Sequence, residues 1–314
     1  MPVGKALIAA ALFYWLYRSG RLDFSEFPAF GAAHLPGLAL LLASMALQAV
    51  RWWFLLRTQT IEITLTRATV VSWISQFFTQ VLPGATGGEI VRAVYAIRDA
   101  PDLKLAATST VLVDRAYGML AMVVLGLVAS IGLVLTATAE RTFALQLLVA
   151  SAALVAATAA ATSPLAMAWP WRLAQRILPH RLSGPIDEVL ARYRRHRREM
   201  VVCLAISLVS SLALMGGFAG AALLVDASVR WQTVFAIAPL VFVISVVPVA
   251  PGGIGVAETA ASLLFSQLGI ASGGTIMLVV RIWMMLLRLP GGVMYVFLRR
   301  RQPNAAVAAD APAI

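Results

Sequence analysis

Apolar runs long enough to cross a lipid bilayer constrain this chain more than any other feature. Several of them, including residues 105–135 and 200–225, reach the span of about 20 residues that a membrane helix needs. Hydrophobic residues make up 61% of the sequence and charged residues 12%, whereas soluble domains are roughly 25% charged. We therefore predict an all-α polytopic membrane protein.

Two similar stretches interrupt this apolar sequence, one in each half of the chain. Each begins with a proline, continues with glycines and ends at a glutamate. The first contains Pro83, Gly84, Gly87, Gly88 and Glu89, and the second contains Pro251, Gly252, Gly253, Gly255 and Glu258. Proline and glycine end helices and allow tight turns.

We interpret the two stretches as broken helices that meet inside the membrane. Polar backbone at that depth is tolerated only where it is buried in protein or lines a wet cavity. Matching interruptions in two halves are typical of a transporter binding site. The alternative is that both stretches are ordinary surface loops between complete spans.

The predicted architecture is an eight-segment bundle of six full transmembrane helices and two re-entrant broken-helix pairs. The full spans cover residues 3–17, 35–56, 105–135, 143–162, 200–225 and 276–298, and the pairs cover 69–82 with 87–98 and 233–247 with 254–268. The first span resembles a signal peptide but has no small-residue cleavage site, so we expect it to be retained. Residues 1–301 form one transmembrane domain, and the alanine- and proline-rich tail 302–314 is predicted to be disordered.

Lysine and arginine are distributed unequally between the two faces of this bundle. With re-entrant pairs, sixteen basic residues fall on the face that holds both termini, four on the opposite face and five at membrane depth. The positive-inside rule then places both termini in the cytoplasm. In this topology, residues 35–135 and 201–298 cross the membrane in opposite orders and are inverted repeats. The loops would keep their sides if both pairs were instead complete crossings.

Eight ionisable side chains are predicted at membrane depth, where each costs about 2.5–3.5 kcal/mol. They are Arg51, Arg92, Arg115, Arg281 and Arg288 with the acids Glu89, Asp114 and Glu258. Ion pairing that holds the bundle together is one explanation, and we assign Asp114 to such pairing. It leaves an excess of arginine, however, and the planar guanidinium suits phosphate. We therefore predict that the five arginines bind a lipid or another anion.

The two glutamates have a competing explanation. The helices that start near residues 87 and 254 would direct free backbone N–H groups towards the interior, where an anion could bind them. Glu89 and Glu258 lie close to these helix starts, so both could simply cap the helices.

The basic segment 164–199 is predicted to be cytoplasmic and amphipathic, with two surface helices. Pro185 suits the first turn of the second helix. Ile186, Val189, Leu190 and Tyr193 form its apolar stripe, and arginines occupy the other positions. Such a helix lies on an anionic leaflet, or the arginines only set the orientation of the chain.

Several functional classes are not expected from this sequence. Cys203 is the single cysteine and the three histidines lack ligand spacing, so we expect no disulfide, metal site or cofactor. The net charge of +11 is concentrated at the membrane surface and does not indicate nucleic acid. No catalytic motif is present, so an enzyme is not expected.

Residues 82–92, 113–115 and 251–258, in that order, resemble the lysylphosphatidylglycerol synthase transmembrane family. The resemblance covers nearly the whole chain, from about residue 5 to residue 300. It implies an eight-segment fold with two re-entrant pairs in the bacterial cytoplasmic membrane, and movement of phospholipids between leaflets. The functional positions that it implies are Glu89, Arg92, Asp114, Arg115 and Glu258. Glu89 stands where aspartate is common, and we expect this chain to lack the soluble aminoacyl-transferase domain.

The first hypothesis is therefore a flippase for an anionic phospholipid, a lipid-linked phosphate or a related lipid. The second is a scaffold subunit of a separate lipid-modifying enzyme. The third is an embedded lipid-phosphate transferase with Glu89 or Asp114 as its base. The expected partners are membrane lipids, with a lipid-modifying enzyme and a homodimer left open.

Overall fold

The described part of the chain is a bundle of α-helices. The computed structural model describes residues 18, 28–29, 31–81, 87–136, 141–162, 180–245 and 255–300. Ten α-helices lie within these residues: α1 Leu35–Thr58, α2 Leu65–Val81, α3 Gly87–Asp99, α4 Lys104–Thr136, α5 Arg141–Thr162, α6 His180–Arg195, α7 Arg197–Val225, α8 Trp231–Ser245, α9 Val256–Ser266 and α10 Gly273–Arg300. Short 3-10 turns at Ala32–His34 and Pro101–Leu103 precede α1 and α4.

Five of the described helices are long and apolar enough to cross a membrane. They are α1, α4, α5, α7 and α10, and each overlaps a predicted span. The sixth predicted span, residues 3–17, and the tail 302–314 lie outside the described residues. The helices α2, α3, α8 and α9 are shorter, at 17, 13, 15 and 11 residues. Their positions match the predicted broken pairs.

The helices α2 and α3 form an antiparallel hairpin. Near the open end, Arg67 on α2 donates two hydrogen bonds of 3.0 and 2.9 Å to the Asp99 carboxylate on α3. Near the turn, the Ser75 hydroxyl donates to the Gly88 carbonyl at 2.7 Å. A Cβ atom on Gly88 would lie 2.2 Å from the Ser75 carbonyl oxygen, so only glycine allows this approach.

The helices α1 and α7 are antiparallel neighbours in the centre of the bundle. The hydroxyls of Ser44 and Ser210 lie 3.2 Å apart. Towards the start of α1, Gly217 packs so closely that an added Cβ would be 3.2 Å from the Gly37 carbonyl oxygen. Such contacts between small residues let membrane helices approach one another closely.

Two further contacts have reciprocal positions. The helix α4 packs on α8, and α10 packs on α2. Glycine makes both approaches close: an added Cβ on Gly126 would lie 2.5 Å from the Pro239 ring, and one on Gly291 would lie 2.1 Å from the Trp73 carbonyl oxygen. The long helix that follows each broken pair therefore packs on the first half of the other pair.

The amphipathic helix α6 packs on the bundle. Val189 is 8% exposed, and the Tyr193 hydroxyl lies 3.1 Å from the Ser109 hydroxyl of α4. Arg192 donates to the Gln59 carbonyl just after α1 at 3.0 Å. Protein thus covers part of the stripe that we expected to face lipid, whereas Arg194 and Arg195 are exposed.

One detail of α6 differs from the prediction. The helix begins at His180, so Pro185 lies inside it and not in its first turn. Five residues precede the proline in the helix, and its missing N–H removes one intrahelical hydrogen bond. The following turns pack on α4 and on Gln59, just after α1, and these contacts compensate for the local cost.

Candidate functional site

A cavity of about 390 Å³ lies at the centre of the bundle. Eight helices line it: α1, α2, α3 and α4 from the first half of the chain, and α7, α8, α9 and α10 from the second. All five predicted arginines contribute to its wall: Arg51, Arg92, Arg115, Arg281 and Arg288. The acids Glu89 and Asp114 line it as well.

Asp114 joins two of these arginines from different helices. One of its carboxylate oxygens accepts a 2.6 Å hydrogen bond from Arg51 Nε, and the other accepts a 2.8 Å bond from Arg92 Nη1. Arg51 also donates to the Ser207 hydroxyl at 2.9 Å. All three charged residues are at most 6% exposed. A single carboxylate is therefore the counter-ion of two buried guanidinium groups.

The glutamates of the two broken pairs each hold one arginine. Glu89 on α3 pairs with Arg115 on α4, and Glu258 on α9 pairs with Arg281 on α10. The two pairs occupy corresponding places in the halves of the chain. They differ in burial, because Glu258 is fully buried whereas the Glu89 side chain is 31% exposed.

Glu258 has a second contact, which matches its predicted role as a helix cap. Its carboxylate accepts a 2.8 Å hydrogen bond from the Gly255 backbone N–H at the start of α9. Gly255 has φ +83°, a left-handed conformation that favours glycine. Glu258 therefore caps the helix and pairs with Arg281 at the same time.

Arg288 stands apart from these ion pairs. Among the described residues, no carboxylate lies within 4.0 Å of its guanidinium nitrogens, and Nη2 approaches only the Met284 sulfur, at 3.7 Å. Its Nε is buried without a hydrogen-bond partner, and so is Nε of Arg92. Unpaired buried donors are costly, so both arginines lie in an electrostatically unfavourable environment.

The structure places the remaining predicted site residues as follows. Gly87 and Gly88 are buried at the start of α3, and Gly255 precedes α9. Glu258 lies behind Arg281 and is not part of the cavity wall. Pro83, Gly84, Pro251, Gly252 and Gly253 lie outside the described residues.

The cavity also contains polar and sulfur-containing side chains that were not predicted as site residues. Gln48 and Gln76 face each other at 3.4 Å, and six methionines line the wall: Met45, Met119, Met122, Met277, Met284 and Met285. Uncharged polar residues inside apolar runs were an available signal. Methionine gives no comparable signal, because it is common in any apolar helix.

Metal binding finds no support in the described part of the chain, where no three His, Cys, Asp or Glu side chains come together. The arrangement is a cationic cavity with a partly apolar wall. It can hold an anionic group next to hydrocarbon.

Comparison with known proteins gives one finding. The family model described as Lysylphosphatidylglycerol synthase TM region matches residues 3–292. No curated protein and no solved structure matches the chain.

Proposed function

Since the chain belongs to the lysylphosphatidylglycerol synthase TM region family, we propose that it is a flippase that moves an anionic lipid between the leaflets of the membrane. The family match confirms the resemblance that the motifs indicated. One observation carries the proposal beyond the family. Five arginines and two acids line one cavity, and a third acid, Glu258, pairs with Arg281 on its wall.

Charge and polarity support an amphiphile as the ligand. The guanidinium groups suit a phosphate-containing headgroup. The methionines and Leu214 on the same wall suit flexible hydrocarbon, since methionine adapts to irregular apolar shapes. The headgroup would contact Arg92, Arg115 and Arg281, while the acyl chains remain in the bilayer.

The acids of the cavity favour transport over catalysis. Glu89, Asp114 and Glu258 each accept hydrogen bonds from arginine. The described contacts of these carboxylates are ion pairs that join helices, with a helix cap at Glu258, and such contacts are structural. We therefore propose that the protein is not a transferase.

Inverted repeats would supply the mechanism. We propose that α1 to α4 and α7 to α10 are the two repeats, and that the α2–α3 and α8–α9 hairpins are re-entrant. The reciprocal packing of α4 on α8 and α10 on α2 supports this arrangement, as do the corresponding pairs Glu89–Arg115 and Glu258–Arg281. Rocking of one repeat against the other would expose the cavity to each leaflet in turn.

The proposed location is the bacterial cytoplasmic membrane with both termini in the cytoplasm. The starts of α2 and α4 and the ends of α1 and α3 carry Arg67, Lys104, Arg57 and Arg98. The helix α6, with its exposed arginines, packs at this same end of the bundle. The positive-inside rule assigns such an end to the cytoplasm.

A leaflet-specific assay in proteoliposomes tests the proposal. Labelled anionic lipid is placed in one leaflet, and its appearance in the other is followed for the wild type, Arg115→Gln and Arg281→Gln. We expect wild-type protein to accelerate exchange and both variants to slow it at least about tenfold. Arg194→Gln, on the exposed face of α6, is the matched control and should exchange like the wild type.

Two outcomes would overturn the proposal. Exchange by the wild type no faster than in empty liposomes would exclude a flippase and favour the scaffold, which predicts a stably copurifying enzyme. Full exchange by both cavity variants would remove the arginines from the mechanism.

A further inference from the structure

The cavity carries two positive charges that no described side chain neutralises, and we infer that its preferred ligand is the dianionic headgroup of a lipid phosphomonoester. This inference rests on the proposed function and deepens it. It concerns the charge of the ligand, whereas the flippase proposal concerns its movement.

The charge excess follows from the individual ion pairs. Glu89 balances Arg115, and Glu258 balances Arg281. Asp114 is shared by Arg51 and Arg92, so this group keeps one positive charge. Arg288 has no carboxylate within 4.0 Å among the described residues and keeps the second.

Both excess charges are accompanied by unsatisfied donors. Arg92 is 6% exposed, and its Nε is buried without a partner. Arg288 has the same unpaired Nε. These two arginines are on α3 and α10, in different halves of the chain, and line one cavity. The site thus offers a phosphate two cationic donors from separate helices.

The adjoining loops cannot cancel the excess. Residues 82–86 and 246–254, which connect the halves of the two broken pairs, contain no ionisable side chain. On the other cavity helices the lining residues of α2, α7 and α8 are uncharged. Among the residues that the structure describes, the two charges therefore remain available to a ligand.

Headgroup charge then discriminates between lipids. A phosphomonoester carries about −1.5 to −2 at neutral pH, because its second pKa is about 6. A phosphodiester such as phosphatidylglycerol carries one negative charge, and phosphatidylcholine carries none overall. Because each unpaired buried charge is costly, the headgroup that cancels both should bind best.

Binding to the purified full chain in detergent micelles tests this inference directly. The probes are dioctanoyl phosphatidic acid, dioctanoyl phosphatidylglycerol and dioctanoyl phosphatidylcholine, which share their acyl chains. Glycerol 3-phosphate is the soluble phosphomonoester. We expect phosphatidic acid to bind at least about tenfold more tightly than phosphatidylglycerol at about pH 8, and to lose most of that advantage at about pH 5.

The pH dependence separates ligand charge from protein charge. Seven charged side chains line the site, and Glu258 lies behind one of them, Arg281. The seven are Arg51 on α1, Glu89 and Arg92 on α3, Asp114 and Arg115 on α4, and Arg281 and Arg288 on α10. Arginine stays protonated over this range. Phosphatidylglycerol is the control, because its own charge does not change over this pH range. Its affinity should therefore vary little, and any variation would come from the acids of the protein.

Arg288→Gln identifies the second cation. We expect the variant to bind phosphatidic acid about tenfold more weakly and to retain its affinity for phosphatidylglycerol, with Arg194→Gln unchanged.

Equal affinities of the wild type for phosphatidic acid and phosphatidylglycerol at about pH 8 would overturn the inference, even if lipid exchange is catalysed. Tight binding of glycerol 3-phosphate would assign the site to a free phosphomonoester and also overturn the lipid assignment. Selective binding without exchange would instead contradict the flippase.

Discussion

Arg51 and Asp114 form an ion pair of 2.6 Å although 63 residues separate them in the chain. The pair joins α1 to α4 inside the bundle, and Arg92 on α3 shares the same carboxylate. Two buried guanidinium groups therefore depend on a single acid. We therefore expect substitutions of Asp114 to affect stability strongly.

Asp114→Asn should destabilise the protein by about 3–5 kcal/mol. The change leaves Arg51 and Arg92 buried without a counter-ion, and breaking a buried ion pair at one partner carries a cost of that size. Thermal unfolding of the purified protein in detergent micelles measures it. The control is Glu62→Gln, since Glu62 is exposed.

A double-mutant cycle checks the cause. Asp114→Asn combined with Arg51→Gln should cost less than the sum of the single changes, because the second substitution removes one of the unpaired charges. A cost of Asp114→Asn no larger than that of the Glu62 control would contradict the shared-carboxylate arrangement.

Two substitutions at Glu258 should separate capping from ion pairing. Glu258→Gln keeps an oxygen for the Gly255 N–H but removes the charge that Arg281 requires, whereas Glu258→Ala removes both. We expect both to lower stability, with Glu258→Ala worse by about 0.5–2 kcal/mol, the usual worth of a cap. Unfolding temperatures of the two variants provide the comparison. Equal values would show that the cap contributes nothing.

Gly88→Ala should separate α2 from α3. Its Cβ would meet the Ser75 carbonyl oxygen at 2.2 Å, and a backbone atom cannot move aside as a side chain can. Such overpacking costs about 1–3 kcal/mol. Gly132→Ala is the matched control, because an added Cβ there meets nothing within 4 Å and alanine favours a helix. Equal unfolding temperatures for the two variants would refute the close approach.

The packing of α6 should weaken above about pH 10. Burial raises the pKa of the Tyr193 phenol above its ordinary value of about 10. Between the ordinary pKa of the unfolded state and the raised pKa of the folded state, the unfolded chain loses the phenol proton while the folded protein keeps it. The contribution to stability is therefore constant below about pH 10 and falls as the pH rises above it. Tyrosinate absorbance followed during alkaline titration, with the Tyr193→Phe spectrum subtracted, measures this shift. Titration of Tyr193 near pH 10 would show that α6 does not bury it.

The sequence was enough to predict the helices and the interruptions between them. Apolar length defined the spans, and the Pro–Gly stretches separated α2 from α3 and α8 from α9. Ionisable side chains inside apolar runs pointed to one site, because burying a charge in a membrane requires a partner or a ligand. The start of α6 was predicted incorrectly, since a proline that suits a first turn is also tolerated further along a helix when packing compensates.

The sequence alone determined that Arg51, Arg92, Arg115, Arg281 and Arg288 outnumber the acids within the apolar segments, because composition and spacing are local properties. Only the tertiary structure decided that Asp114 serves Arg51 and Arg92, that Glu258 both caps α9 and holds Arg281, and that Arg288 has no acid among the described residues. Helical periodicity places a side chain on one face of its own helix. The partner across the bundle depends on the depth and rotation of each packed helix, which many distant contacts set together.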